Sequence, residues 1–248
     1  MNHNNFILSP VSDILKDMIS ATSGIGDGIE TYPLCDYIMQ STFLKMTGAQ
    51  EQKMKCIVWE LATYDYEYRY FRFTQKPLGE CSSYNDKQKI YKDLIDQIEK
   101  YGIKKFDINS INKNLLLNQT TPLIRDTFFN TNLSVWAERS FREYTSIWSV
   151  ISHDYFATKD NLFSNTAGIS GNPYSLIEMY NNHLYKHRNR IAHNTLSYQQ
   201  NLPTLNMLIK EEHKFNNYFI YFSILILIDN IIMNLYKRYL LDIDNLLI

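Results

Sequence analysis

The sequence predicts an all-α fold, a helical bundle with long antiparallel helices. Three observations point there. Glycine and proline are scarce, 8 and 6 in 248 residues, too few for the tight turns of an all-β chain. Apolar residues recur at helical spacing in several windows. The most apolar run, Tyr218 to Ile228, is short for a bilayer span, is followed by Asp229, and fits a buried central helix. No internal repeat, low-complexity segment or composition break divides the chain. Residues 1–248 therefore read as one domain, with 1–30 as an N-terminal helix and flexible loop.

In the N-terminal part, Val11, Ile14, Leu15, Met18 and Ile19 fall on one helical stripe. Ser9-Pro10 ahead of them reads as an N-cap followed by the first helical residue. The segment holding Gly24, Gly26 and Gly28 reads as a flexible loop. No strand precedes it and no Gly-Lys-Ser/Thr follows, which excludes a P-loop. A long helix is predicted from about Tyr32 to Tyr64, with Thr47-Gly48 as its candidate break. Phe43, Leu44, Met54, Ile57, Val58 and Leu61 supply its core stripe. Tyr64 to Phe73 alternates aromatic and polar residues with a period of two. It follows a strong helix and has no partner strand, so it reads as a helix continuation. Its aromatics, interleaved with Arg69 and Arg72, have two readings: stacking on RNA bases or packing between helices, of which packing is the simpler.

Residues 74–86, with Pro77, Gly79 and Ser82-Ser83, read as a loop. Lys87 to Tyr101 is an amphipathic helix with Ile90, Tyr91, Leu94, Ile95 and Ile98 inward, ended by Gly102. Residues 103–131 are broken by Asn and Thr and stopped by Pro122, so only short helices are expected. A helix follows from Leu133 to Ser152, then a mobile loop from Ala157 to Gly171. Asn172-Pro173 starts a helix running to about His193, with Ile177, Tyr180, Leu184, Ile191 and His187 along one side. A loop from Asn194 leads to a last helix, roughly Leu205 to Leu241, at the centre of the bundle.

Charge is balanced, 25 basic against 26 acidic residues, which argues against a broad basic face coating nucleic acid. Local basic patches remain open. Cys35, Cys56 and Cys81 are odd in number and widely spaced, as reduced thiols of a cytoplasmic protein would be. The first residues lack the basic and apolar regions of a signal peptide, and no membrane association is expected.

Candidate chemistry concentrates in His187-Arg188-Asn189-Arg190-Ile191-Ala192-His193-Asn194. Metal-free RNA cleavage needs a proton taken from a 2′-hydroxyl, a proton given to the leaving 5′-oxygen, and charge stabilised on the phosphate between. An unperturbed histidine titrates near 6.5, so His193 suits the proton transfers. Arg188 is a permanent planar cation suited to phosphate oxygens. Five residues on a helix span about 140°, so Arg188 and His193 do not share a stripe. Asn189, four before His193, does share its face. Lys186, His187 and Arg190 make up a candidate RNA-binding set around them.

Arg188, Asn189 and His193 resemble the R-x4-H signature of the HEPN superfamily, all-helical domains that include many metal-independent ribonucleases. The segment Phe43 to Gly48 with Glu51, Gln52 and Lys53 is similar to the opening helices of some bacterial HEPN proteins. The resemblance covers about 172–240 most firmly. It implies an endoribonuclease of a bacterial defence or toxin–antitoxin system, with Arg188 and His193 as the catalytic pair and Asn189 at the polar position after the arginine. It further implies 2′,3′-cyclic phosphate and 5′-hydroxyl ends, a homodimer bringing two motifs together, no cofactor, and a cognate antitoxin or defence-system partner. The alternative it implies is a non-catalytic HEPN module that binds RNA, a nucleotide or a partner protein.

Two other readings compete. Basic residues near a helix C-terminus suit the macrodipole, so Arg188 and His193 also read as residues that cap the helix and pair with acidic neighbours. His183 and His187 are four apart with His193 nearby, a metal-like spacing. Leu184 stands where the glutamate of H-E-x-x-H belongs. His153 and His213 stand alone, and no G-x-S-x-G elbow supports serine hydrolase chemistry.

Overall fold

The computed structural model describes residues 3–22, 24–26, 28–102, 105–164, 174–192 and 214–246. The fold is all-α. Helices α1 (His3–Ile7) and α2 (Val11–Ser20) lead into α3 (Tyr32–Tyr64), then α4 (Tyr66–Tyr70), α5 (Tyr84–Tyr101), α6 (Lys113–Phe128), α7 (Asn132–Trp136) and α8 (Glu138–Trp148). They are followed by α9 (Leu176–Glu178), α10 (Lys186–Ala192) and α11 (Tyr218–Leu246). Among the described residues no strand forms, only one antiparallel bridge between Phe156 and Phe163.

Helix α11 is the axis of the bundle. Residues 219–229 are buried on every side of it, against α5, α6, α3, α8 and α2. A helix apolar all round must be enclosed, and burying each large side chain is worth about 1.5–3 kcal/mol. The 29-residue helix is longer than the apolar run suggests. It is long and apolar enough to cross a membrane, and 83% of its most apolar window is buried inside the protein, as in a core helix. Its start lies later than predicted, at Tyr218 rather than near Leu205. Asn217 sets that boundary: its side-chain oxygen accepts from Phe219 N at 3.0 Å, while its amide donates to Ser140 O at 2.6 Å.

The N-terminus departs from the predicted cap. Pro10 itself occupies the N-cap position of α2, with no side-chain cap of its own. The cap comes from α11, where Asp229 Oδ2 accepts from Val11 N at 2.9 Å. The other oxygen of Asp229 pairs with Lys53 of α3 at 2.7 Å, both side chains buried, and Lys53 also donates to Ser9 O. One buried ion pair thus ties α2, α3 and α11 together.

Helix α3 runs unbroken through Thr47-Gly48. At Asp65 the backbone turns extended, and the Asp65 side chain accepts from Tyr68 N at 3.0 Å to cap α4. A π-helical turn, Phe71–Gln75, continues it. The Tyr64–Phe73 stretch is therefore helical with one break. Tyr68 and Arg72 point inward, where Arg72 Nε donates to Asp93 Oδ2 at 2.6 Å and Tyr68 OH donates to the same oxygen at 2.8 Å. Arg72 is thus held by Asp93, with its guanidinium carbon 4.8 Å from the centre of the Phe71 ring.

Helix α5 starts at Tyr84, capped by Ser83, whose hydroxyl accepts from Asp86 N. Its inward residues are those predicted: Ile90, Tyr91, Leu94, Ile95 and Ile98 are all buried. The 113–128 region corrects the expectation of short helices, since α6 runs through Pro122. Leu116, Thr120, Ile124 and Phe128 form an unbroken i, i+4 stripe of buried residues facing α11, and that packing outweighs the hydrogen bond the proline removes. The predicted 133–152 helix breaks at Ala137 into α7 and α8. Residues 157–164, the described part of the predicted 157–171 loop, fold back on themselves. Ala157 N donates to Leu162 O at 2.7 Å, and Phe156, Leu162 and Phe163 are buried. Asn172-Pro173, 165–171 and 193–213 lie outside the described residues.

Candidate functional site

The helix carrying the basic motif begins at Leu176 and changes pitch within a turn. Met179–Tyr185 is π-helical, and α10 resumes α-geometry at Lys186. A π-turn adds residues per turn, so side-chain directions counted at 3.6 per turn do not carry through it. Tyr180 and Leu184 are buried and Ile177, Tyr185 and Ile191 are half-buried against the core. This anchors the helix and leaves its far side to the charged residues.

Arg188 reaches α3. Its Nη2 donates to Glu51 Oε2 at 2.9 Å, with 21% of the arginine side chain and 13% of the glutamate side chain exposed. Its Nη1 donates to Asn189 Oδ1 at 3.2 Å. Two of the five guanidinium donors are thereby engaged, and the group is fixed but still reachable. Lys186 and Arg190 are exposed on the same helix, and neither has a carboxylate within ion-pair reach among the described residues.

His187 turns the other way. Its ring packs against Phe43, Tyr218 and Tyr221, with centroids 5.5, 5.2 and 5.4 Å away. Its Nε2 meets Tyr218 OH at 2.9 Å and its Nδ1 lies 3.4 Å from Arg190 Nη2. Burial, with a smaller push from Arg190, lowers its pKa to about 4, so the ring is neutral at pH 7. Of the predicted RNA-contact set, Lys186 and Arg190 face solvent and His187 serves the aromatic core. His193 lies outside the described residues, and so does its approach to Arg188.

Around Glu51 and Arg188 the fold assembles polar residues from distant parts of the chain. Lys55, one turn on from Glu51, pairs with Glu80 at 2.6 Å. Lys87 of α5 is fully buried and donates to Cys81 O at 2.8 Å. It lies 6.0 Å from the centre of the Tyr180 ring. Desolvation lowers its pKa to about 8; Glu51, Cys81 and Asp86 oppose the shift and Arg188 adds to it. Tyr180 OH donates to Ser82 O at 2.7 Å. Lys87 and Tyr180 together pin the 79–83 loop, where Cys81 adopts φ 62, a left-handed conformation rarely held by a residue with a side chain. This loop forms one wall of the site.

Sequence reasoning placed Arg188, Asn189, Lys186 and Arg190 on one helix but did not single out Glu51, Glu80 or Lys87 for this site. Glu51 and Lys55 carry a faint signal, two charges four apart on a largely apolar helix. Lys87 carries none, since it opens an amphipathic helix where an exposed lysine is the ordinary expectation. Among the described residues, no three His, Cys, Asp or Glu side chains gather as a metal-holding group. His183 Nδ1 lies 3.1 Å from Asn216 Oδ1.

The class these features define is an all-α bundle presenting a basic helix end whose arginine is held by a glutamate of the longest helix. No protein-family model, curated protein or solved structure matches the chain.

Proposed function

We propose that the chain is a metal-independent endoribonuclease in which Arg188 holds the scissile phosphate and His193 transfers protons. The observation that carries this is the state of Arg188. It is a half-buried guanidinium, braced on one edge by Glu51 and Asn189, on a helix whose exposed face adds Lys186 and Arg190. A braced arginine loses little freedom on gripping a phosphate, and charge-assisted bonds to the oxyanion strengthen as charge builds in the transition state. Lys186 and Arg190 then hold the neighbouring backbone without reading sequence.

The resemblance of Arg188-Asn189…His193 to the HEPN signature supplies the reaction. The 2′-oxygen attacks phosphorus as the bond to the 5′-oxygen breaks; one imidazole accepts the 2′-hydroxyl proton and an imidazolium donates a proton to the 5′-oxygen, the two histidines being supplied by the two motifs of the dimer. The products are a 2′,3′-cyclic phosphate and a 5′-hydroxyl. The same resemblance implies a role in a bacterial defence or toxin–antitoxin system, as a cytoplasmic homodimer with a partner protein controlling it. No cofactor enters the scheme.

A second reading is favoured by the same pair. A motif arginine salt-bridged to a carboxylate of its own chain is what a non-catalytic module, binding RNA, a nucleotide or a partner protein, is expected to show. Incubation of cellular RNA with purified protein in EDTA, with end-group analysis, separates the two. Cyclic phosphate ends support the ribonuclease. Intact RNA of every class, alone and with protein activated in cells, rejects it in favour of the binding module.

A further inference from the structure

The aromatic stretch between α3 and the π-helical turn has no part in the chemistry above. Trp59, Tyr64, Tyr66, Tyr70 and Phe73 are all exposed, Trp59 at 53% and Phe73 at 52%. Single exposed apolar residues are ordinary, but here five exposed rings lie within fifteen positions. Trp59 and Phe73 meet edge to face, their centroids 6.3 Å apart and their planes at 85°. They line a groove of about 350 Å³ whose other walls include Lys55, Arg72, Leu78 and Glu80. That volume is at the small end of ligand sites.

Charge narrows the occupant. The acids of this surface each have a hydrogen-bonding partner: Glu80 pairs with Lys55, Glu67 and the buried Asp65 share the single charge of Lys100, and Glu60 meets the His3 ring at 2.7 Å. Arg72 in the groove floor is neutralised by Asp93. Arg69 and Lys76 are exposed and have no carboxylate within ion-pair reach among the described residues. The core of a protein-docking patch is depleted of charge, whereas rings interleaved with unanswered cations suit a polyanion with flat bases.

Position ties the groove to the candidate site. Glu51, Lys55 and Trp59 stand four apart on α3, one stripe, so Trp59 lies about 12 Å along the helix from the residue that braces Arg188. We infer that the groove is a base-stacking subsite for single-stranded RNA, taking one unpaired nucleobase against Trp59 and Phe73 while Arg69 and Lys76 face the backbone. This rests on the proposed RNA substrate and adds where an unpaired base is held.

The test uses a labelled single-stranded oligonucleotide with 2′-O-methyl sugars, which 2′-oxygen attack cannot cleave. Its binding to the full chain is followed in EDTA by fluorescence anisotropy. Stacking on one ring is worth about 1–3 kcal/mol, so Trp59→Ala weakens binding by about fivefold to a hundredfold. Phe73→Leu, which keeps apolar bulk and loses the ring, weakens it in the same direction, and a duplex of the same sequence binds less well than the single strand. Circular dichroism checks that each variant folds. Wild-type protein that does not bind the oligonucleotide overturns the inference. So does binding indifferent to both substitutions, including the case in which Trp59→Ala changes only the oligomeric state and marks the surface as a protein contact. Because the probe cannot be cut, tight Trp59-dependent binding by a chain that never cleaves RNA retains the subsite while removing the ribonuclease. Cleavage by a chain whose binding ignores Trp59 and Phe73 does the reverse.

Discussion

Arg188 of α10 and Glu51 of α3, 137 residues apart in the chain, are joined at 2.9 Å. The carboxylate fixes where the guanidinium points, so Glu51 is a positioning residue. Glu51→Gln leaves a neutral partner of the same shape and is expected to lower kcat for RNA cleavage by about tenfold to a hundredfold, less than Arg188→Ala, for which loss of a charge-stabilising donor gives about 10²–10³. Arg188→Lys recovers little, because an ammonium lacks the planar fork that grips glutamate and phosphate together. Steady-state rates of the three variants check the order.

His187 is expected to titrate near pH 4 in the folded protein, against about 6.5 unfolded. The unfolded chain binds more protons between those values, so stability falls as pH drops from about 6.5 toward 4. His187→Phe removes that part of the loss. Urea denaturation at pH 7 and pH 5, wild type against variant, reads it, and the histidine resonance in NMR gives the midpoint.

Lys87 works in the opposite range. Its folded pKa of about 8 lies below the unfolded 10.5, so the unfolded chain again holds the extra proton, and its contribution to stability increases as pH rises from about 8 toward 10.5. Cys81, raised by burial to about 11, opposes this above pH 9. The clean window is pH 8–9, where wild type is expected to gain stability relative to Lys87→Met. Glu51, Asp86, Cys81 and Arg188 face this lysine, and all four are unchanged in the comparison.

The Lys53–Asp229 pair is buried on both sides, and removing one partner strands the other. Lys53→Met is expected to cost about 3–5 kcal/mol. Pairing it with Asp229→Asn, which removes the stranded charge but keeps an oxygen for Val11 N, restores a large part of that loss. Chemical denaturation of the single and double variants measures the coupling.

Gly48 lies inside α3 with open space where a Cβ would stand. Gly48→Ala is expected to raise stability by about 0.5–1 kcal/mol, seen as a higher Tm with unchanged RNA cleavage.

How much of this was legible follows from which interactions are local. The extent of α3 and the inward face of α5 could be read because apolar periodicity is a property of neighbouring residues. Helix α6 was missed because Pro122 is a local signal, while the Leu116–Phe128 stripe that overrides it acts through contact with α11. The cap on Val11 was assigned to Ser9-Pro10 and is supplied by Asp229, which no nearby residue could announce. In the candidate site, Arg188, Asn189, Lys186 and Arg190 were legible as a cluster of types at short spacing. Glu51 and Lys87 were not, because a long-range ion pair and a buried amine are created by tertiary folding. The aromatics of 64–73 split as only the structure could split them: Tyr68 packs inward, and Tyr66, Tyr70 and Phe73 face solvent.

The central claim is that Arg188 and His193 act as one catalytic unit on RNA without a metal. The most direct measurement is the rate of cleavage of a defined single-stranded RNA in EDTA by wild type, Arg188→Ala, His193→Ala and the double variant. Residues acting as a unit are strongly non-additive, so wild type cleaves and all three variants fall to the same low floor. Wild-type rates in either single variant, or cleavage abolished by EDTA, would contradict the account.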